Sequence, residues 1–253
     1  MPSPVVVRLR DGIRLSVDGT SQTGRIAYAT GEYEPATTAL IRSRLAPGDT
    51  FVDVGANIGY FTVVGARAVG RTGHVVSFEP VPAVRSALAA NLALNGIRDV
   101  DVRTEALSSG EGETAIFTGP SSDTGLASLR PLSDGGTLTV RKCRFDDIVD
   151  RRRRVRLVKI DVEGAETEVL EGMVETLERD HPDLIVEITD GYLREAGSSA
   201  EQLVDLLHRL GYTIWMIADE GAFLQIQSAA DLSRCPSQFN AFCSTDGRGA
   251  SAS

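Results

Sequence analysis

The chain has 253 residues, 42% hydrophobic and 24% charged, so it can bury a full core and is neither a disordered polymer nor a fibrous repeat. Its 26 Lys and Arg against 35 Asp and Glu leave a net charge of −9, which argues against a large phosphate-tracking surface and against nucleic acid as the main partner. Three cysteines without CxxC or His-rich spacing indicate neither a disulfide framework nor a zinc site, and no window approaches about 18 uncharged apolar residues. With no basic-then-apolar leader at its start, the expectation is a cytoplasmic protein with no membrane partner.

Residues 5 to 29 alternate apolar and polar around Asp11-Gly12 and Asp18-Gly19, predicting a short antiparallel β element. Glu34-Pro35 opens a helix to about Leu45, and Ala46-Pro47-Gly48 ends it. Residues 1–48 therefore read as a β element and helical cover, 49–246 as the main domain and 247–253 as a disordered tail.

From Thr50 the pattern changes to short apolar, β-branched runs: FVDVG (51–55), HVVSFEP (74–80), VDVRTEALS (100–108), VRLVKIDVEG (155–164) and DLIVEIT (183–189). They have the look of strands buried on both faces of a parallel sheet. Between them Tyr60 to Val69, Val81 to Asn95, Ala165 to Glu178 and Ser199 to Leu210 carry apolar residues at helical spacing. This alternation predicts a doubly wound α/β sheet with helices on both faces. Residues 109–148 interrupt the rhythm with ETAIF, a Gly/Ser-rich loop (119–128) and TLTVRKCRF, predicting edge strands and a substrate-facing loop. YTIWMI, DEGAFLQI and FNAFCS add strands after the last helix. The basic run Arg151 to Arg154 with Arg156 reads as a solvated loop before a buried strand.

The sharpest motif is Asp53-Val54-Gly55-Ala56-Asn57-Ile58-Gly59-Tyr60, where the first of these strands turns into a helix. Two glycines permit a tight turn and close approach to a nucleotide-like ligand, and Asn57 tolerates a left-handed backbone where a dinucleotide fingerprint has glycine. Asp53 would repel a pyrophosphate in a water-poor cleft but suits a ligand bearing an ammonium group. Glu79, at the end of the second strand, is spaced to accept from ribose hydroxyls. S-adenosylmethionine meets both demands, with S-adenosylhomocysteine as its product. A nucleotide-dependent oxidoreductase, which needs glycine at position 57, and a cofactor-binding module without transfer activity are the alternatives.

DVGANIGYFT, the FEP after the next strand, EALS after the third and VKIDVEGAE on the fourth together resemble the FkbM family of S-adenosylmethionine-dependent methyltransferases. The resemblance covers about residues 34–190. It implies a class I methyltransferase (Rossmann-like) sheet of seven strands, the last antiparallel, and methylation of a hydroxyl on a small molecule such as a natural product or sugar. Carried over residue by residue, Asp53, Gly55, Ala56, Asn57 and Gly59 would line the methionine end, Glu79 and Pro80 the ribose, and Glu105, Ala106 and Leu107 the adenine edge. The insertion from Ser109 to Asp146 matches no family pattern, so the acceptor is unread.

In Lys159-Ile160-Asp161-Val162-Glu163-Gly164-Ala165-Glu166 the acids at the strand end reach into the cleft where an acceptor should sit, with Asp161 also near the cofactor. Asp161 and Glu163 are the candidates for taking the acceptor's proton or holding its hydroxyl. Glu166 reads as a first-turn helix acid. Glu187 at the end of the fifth strand is placed to converge with them, and three carboxylates could instead hold a divalent cation, although no metal is expected. His74, His181 and His208 read as structural or solvated and Trp215 as core. The partner is thus a hydroxylated small molecule, with a homo-oligomer an open arrangement of the chain.

Overall fold

The computed structural model describes residues 4–17, 22–118, 127–128, 136–218 and 221–247. The Asp18-Gly19 turn, most of the 119–128 loop, Asp219-Glu220 of the DEGAFLQI run and residues 248–253 of the expected tail lie outside them.

Strands β1 (Val5–Arg8) and β2 (Arg14–Val17) form the expected antiparallel hairpin around Asp11-Gly12. The β reading fails beyond it, where residues 22–30 form helix α1 (Gln22–Thr30). Gly24 and Ala27, three apart, are buried while Ile26 and Tyr28 stay largely exposed, so the apparent alternation covers a one-turn helical spacing. Helix α2 (Pro35–Arg44) follows with Pro at its first turn.

The main sheet then builds from β3 (Thr50–Val54), α3 (Tyr60–Val69), β4 (His74–Phe78), α4 (Pro82–Leu94) and β5 (Asp101–Arg103). The expected third strand divides here. Ala106–Leu107 (β6) leaves the main sheet and pairs with the insertion, whose strands are β7 (Gly112–Thr118), β8 (Ala127–Ser128) and β9 (Gly136–Cys143) in the order β6-β9-β7-β8. After α5 (Phe145–Ile148) come β10 (Val155–Ile160), α6 (Glu166–Glu171), α7 (Val174–Asp180), β11 (Asp183–Thr189), α8 (Asp190–Glu195) and α9 (Ala200–Arg209). The single helix expected over 165–178 breaks at Gly172. Its missing side chain lets the Ser108 carbonyl lie where a Cβ would stand 2.1 Å away, and Asp146 caps the new helix by accepting from the N–H groups of Glu175 and Thr176.

β12 (Thr213–Ile217), β13 (Phe223–Ile226) and β14 (Gln238–Ser244) complete an eight-stranded sheet in the order β13-β12-β14-β11-β10-β3-β4-β5. This is the expected seven-stranded, mostly parallel sheet, with β14 inserted antiparallel to β11 and an eighth strand, β13, on its edge. One face carries α6, α7 and α9 through Val169, Leu170, Leu177, Leu203 and Leu207. The other carries the hairpin and α2 to α4 through Leu15, Ile41, Val64 and Leu88. The 1–48 segment therefore shares its core with the sheet rather than resting on it. Trp215 stacks on Phe242 in that core, and the 151–154 arginines pair at the surface, Arg151 with Glu175 and Arg152 with Asp150.

Asn91 ties this cover to the first motif. Fully buried on α4, it accepts from Ser16 N–H (2.6 Å) and donates to the carbonyls of Ser16 and of Ile58 (2.8 Å), linking the hairpin to the turn before α3. Asn91→Ala leaves these groups unpaired, so it should lower stability by about 2–3 kcal/mol in urea unfolding. A midpoint within error of the parent would remove Asn91 from this role.

Candidate active site

The carboxyl ends of β3 and β10 meet where the winding of the sheet reverses, the place where open α/β sheets form their crevice. Gly55 makes the contact between them. Its φ is +78°, and a Cβ there would sit 1.8 Å from the Asp161 carbonyl oxygen, so only glycine lets the two backbones touch. Asn57 takes the left-handed backbone expected of it, at φ +50°, and Gly59 caps α3 at φ +87°.

The hydrogen bonds of this turn point inward. The N–H groups of Gly55 and Ala56 donate to Phe78 O, that of Asn57 to Glu79 Oε2, that of Ile58 to Asn57 Oδ1 and that of Gly59 to Ala56 O. A phosphate-binding loop offers these donors to its ligand. Here they are consumed, and this discriminates against a diphosphate independently of Asp53.

Asp53 itself is 1% exposed and lies under the turn rather than along the cavity wall. Its Oδ2 accepts from Thr62 Oγ1 at 2.6 Å, which secures the first turn of α3, while Oδ1 is buried without a partner. Burial raises its pKa, against the pull of Lys159. Ala56 and Gly59 likewise shape the turn from beneath, whereas Gly55, Asn57, Glu79, Pro80, Glu105, Ala106 and Asp161 all line one cavity of about 1270 Å³.

Glu79 is held at the end of β4. Oε2 accepts from Asn57 N–H (3.0 Å) and Oε1 from Val81 N–H (2.9 Å), while Arg85 donates to the carbonyls of Glu79 and Pro80. Burial pushes its pKa up to about 7 despite those N–H groups. The carboxyl is thus oriented before any ligand arrives.

The second motif is organised by Lys159, which is 2% exposed. Its Nζ lies 2.8 Å from Asp161 Oδ2 and 4.8 Å above the Phe61 ring. Burial alone would lower its pKa, but the charges of Asp161, Asp53 and Glu34 drive it upward, so the ammonium stays charged. Beyond β10 the chain turns through Glu163, at φ +55°, and Glu166 Oε1 accepts from the N–H groups of Val162 (3.1 Å) and Gly164 (3.2 Å). Glu166 therefore does more than start a helix, since it folds the loop that carries Asp161 and Glu163. Its burial raises its pKa to about 7.

Glu187 converges as its strand position implied. One oxygen from each of Asp161, Glu163 and Glu187 lies within 4.8 Å of the others. Burial, then the charges of Asp161 and Glu163, pushes Glu187 up to about 9. A hard cation wants six or more oxygens, whereas Asp161 already faces an ammonium and Glu187 Oε1 accepts from Gln238 Nε2 at 2.7 Å, so the trio is a poor ready-made cage.

Sequence reading missed Glu34, Gln238 and Asn240, all on the cavity wall. Glu34 has a left-handed backbone (φ 40°) at the start of α2, and its Oε2 accepts from Asn240 Nδ2 at 2.8 Å. Burial raises its pKa, with Lys159 opposing. No local pattern marks these three residues, because the cover and the last strand bring them together from opposite ends of the chain. None of the three histidines lines the cavity.

Residues 53–214 match the model of the methyltransferase FkbM domain, well over half of the chain. The AMB antimetabolite synthetase AmbE of Pseudomonas aeruginosa is 28% identical over 67% of this chain, which spans only 10% of that protein. The hexuronic acid methyltransferase AglP of Haloferax volcanii is 28% identical, covering 70% of this chain and 71% of its own. The crystal structure of methyltransferase FkbM from Methylobacillus flagellatus superposes with a TM-score of 0.50 at 15% identity, over 79% of this chain and 44% of that one, and shows the shared fold. No helix among the described residues is long and apolar enough to cross a membrane. By the domain matched over more than half its length, this chain belongs to the FkbM family of S-adenosylmethionine-dependent methyltransferases.

Proposed function

We propose that the chain methylates a hydroxyl group of a small molecule, a natural product or a sugar. The observation that carries this reading is the pair Asp161 and Glu163 on the cavity wall, next to the Gly55 contact and apart from any histidine. A relative named for a hexuronic acid supports a hydroxylated acceptor class.

The residues present fit the cofactor. Gly55 brings the β3 and β10 backbones together at the cavity wall, the inward N–H groups suit a ligand without phosphates, and Glu79 would offer a fixed carboxyl to ribose hydroxyls. Pro80, Glu105 and Ala106 line the same cavity and would hold the adenine, while Asp53, Ala56 and Gly59 act by fixing the turn. When bound, S-adenosylmethionine supplies a methyl group already activated on a sulfonium, so the protein's task is mainly to aim the acceptor oxygen. A carboxylate at Asp161 or Glu163 would take the proton of the acceptor hydroxyl as that oxygen is methylated. Lys159, beneath, holds Asp161 as an ion pair and fixes its direction.

Asp161→Asn should keep S-adenosylhomocysteine affinity within about tenfold while slowing single-turnover transfer by roughly a hundredfold or more. Glu79→Ala should weaken cofactor binding first; calorimetry and quench kinetics giving the opposite order would reverse these assignments.

Burial holds Glu79 protonated below about pH 7, and with each of its oxygens already accepting a backbone N–H the ionised form is the stronger acceptor for ribose hydroxyls. Cofactor affinity should therefore be about tenfold weaker at pH 6 than at pH 8, with proton release on binding, and Glu79→Gln should flatten the profile. For folding the sign is opposite: the contribution of this raised carboxyl is full below its ordinary value of 4.5 and is lost as pH climbs through 7. An affinity flat across this range would dismiss Glu79 as the ribose acceptor.

The reading as a whole is tested by methyl-labelled S-adenosylmethionine offered with hydroxylated metabolites. Ether-linked label is expected, and label found only on nitrogen or carbon would refute it. Transfer should also survive a chelator, because Lys159 already neutralises Asp161; loss of activity in EDTA restored by a divalent cation would show that the three acids take metal.

A further inference from the structure

The acceptor end of the cavity is built by two carboxylate–carboxamide pairs. Gln238 and Asn240 stand two residues apart on β14, so their side chains share one face of the sheet, roughly 7 Å apart along the strand. Asn240 donates to Glu34 Oε2 at 2.8 Å and Gln238 to Glu187 Oε1 at 2.7 Å. The pairs are brought together by the β11–β14 register, in which Glu187 lies opposite Asn240. Glu34 reaches them from the cover, in the left-handed backbone noted above, and Tyr33 lines the same wall.

The charge at this end is one-sided. Glu34, Asp161 and Glu163 line it as carboxylates beside the protonated Glu187, while Lys159 is enclosed below the floor and held by Asp161. Among the described residues lining the cavity the one cation is Lys142 on β9, which belongs to the opposite end with Ala106, its partner in the sheet. A second carboxylate entering beside these acids would meet like charge and no basic partner, whereas hydroxyls find acceptors and carboxamide donors side by side. The cavity, at about 1270 Å³, exceeds the usual 300–1,000 Å³ of a single-ligand pocket and leaves room for an acceptor beside the cofactor.

We infer that the Glu34–Asn240 and Glu187–Gln238 pairs form the acceptor subsite and that it takes a polyhydroxylated molecule carrying no acidic group, neutral or amine-bearing. This rests on reading the cleft as a methyl-transfer site. It also sets the chain apart from what the name of the hexuronic acid methyltransferase would suggest for it. Burial that keeps Glu187 protonated near neutral pH fits the subsite, since a protonated carboxyl can donate to a hydroxyl as well as accept from one.

Three matched probes separate the possibilities: a methyl glucoside, the corresponding methyl glucuronide and the corresponding methyl glucosaminide, each offered up to about 20 mM to the protein saturated with S-adenosylhomocysteine, with binding read by saturation-transfer NMR. The neutral and amine-bearing probes should bind, and the uronate at least about tenfold more weakly. The variant Glu34→Gln, which removes the carboxylate that Asn240 presents to the subsite, should reduce that discrimination to below about threefold with unchanged S-adenosylhomocysteine affinity, which also certifies that it folds. A uronate that binds as well as the glucoside, or silence from all three probes, overturns the inference. Uronate binding would leave the methyl-transfer reading standing, whereas label recovered on nitrogen alone would sink O-methylation and leave the charge rule intact.

Discussion

A lysine ammonium sealed beneath the cleft is the constraint on which the site depends. Lys159 is nearly inaccessible to water, yet Asp161, Asp53 and Glu34 supply enough negative charge to keep it ionised, and the Phe61 ring covers it. Burying an ion with no partner costs several kcal/mol, and here three acids share the work of offsetting that cost. The lysine in turn permits three acids to crowd the strand ends. Without it Asp161 and Asp53 would face one another in a medium that screens poorly, and the junction of β3 with β10 would carry uncompensated charge.

That arrangement divides labour between the two motifs. The first has spent its N–H groups on its own carbonyls and on Glu79, so it presents a closed surface of fixed shape. The second presents carboxylates, and Glu166 determines how the loop bearing them turns. One wall is rigid and closed, and the other carries the converging acids. A donor whose methyl group is already activated asks for little more than alignment, and this division suits such a reaction.

Much of the fold could be read from the chain because the parallel strands are buried on both faces and announce themselves as continuous apolar runs. Helix α3 over Tyr60–Val69 fell where its pattern put it. The failures share a cause: periodicity registers what a segment buries but not which sheet claims it. Ala106–Leu107 left the main sheet for the insertion, α6 and α7 parted where Gly172 meets Ser108, and Gln22–Thr30 coiled over one buried alanine. At the site, Glu79, Asp161, Glu163 and Glu187 were visible because they stand at strand ends. Asp53 was visible too, but its direction was not; alternation cannot say that a fully buried strand turns this carboxylate toward Thr62. Glu34 and Asn240, 206 positions apart, are joined only by the completed fold.

The position of β14 has a consequence for how the molecule is made. It lies between β11 and β12, both synthesised before it, so a growing chain carries an open slot in the middle of its sheet until residues 238–244 leave the ribosome. Through that interval the edge of β11 has no neighbour on that side, which is the kind of unpaired strand that invites wrong pairing. Because filling the slot joins segments far apart along the chain, it belongs among the slow, late events of folding, and the wall bearing Gln238 and Asn240 arrives with it. The wall that would cradle the donor can thus take shape before the strand bearing Gln238 and Asn240 has entered the sheet.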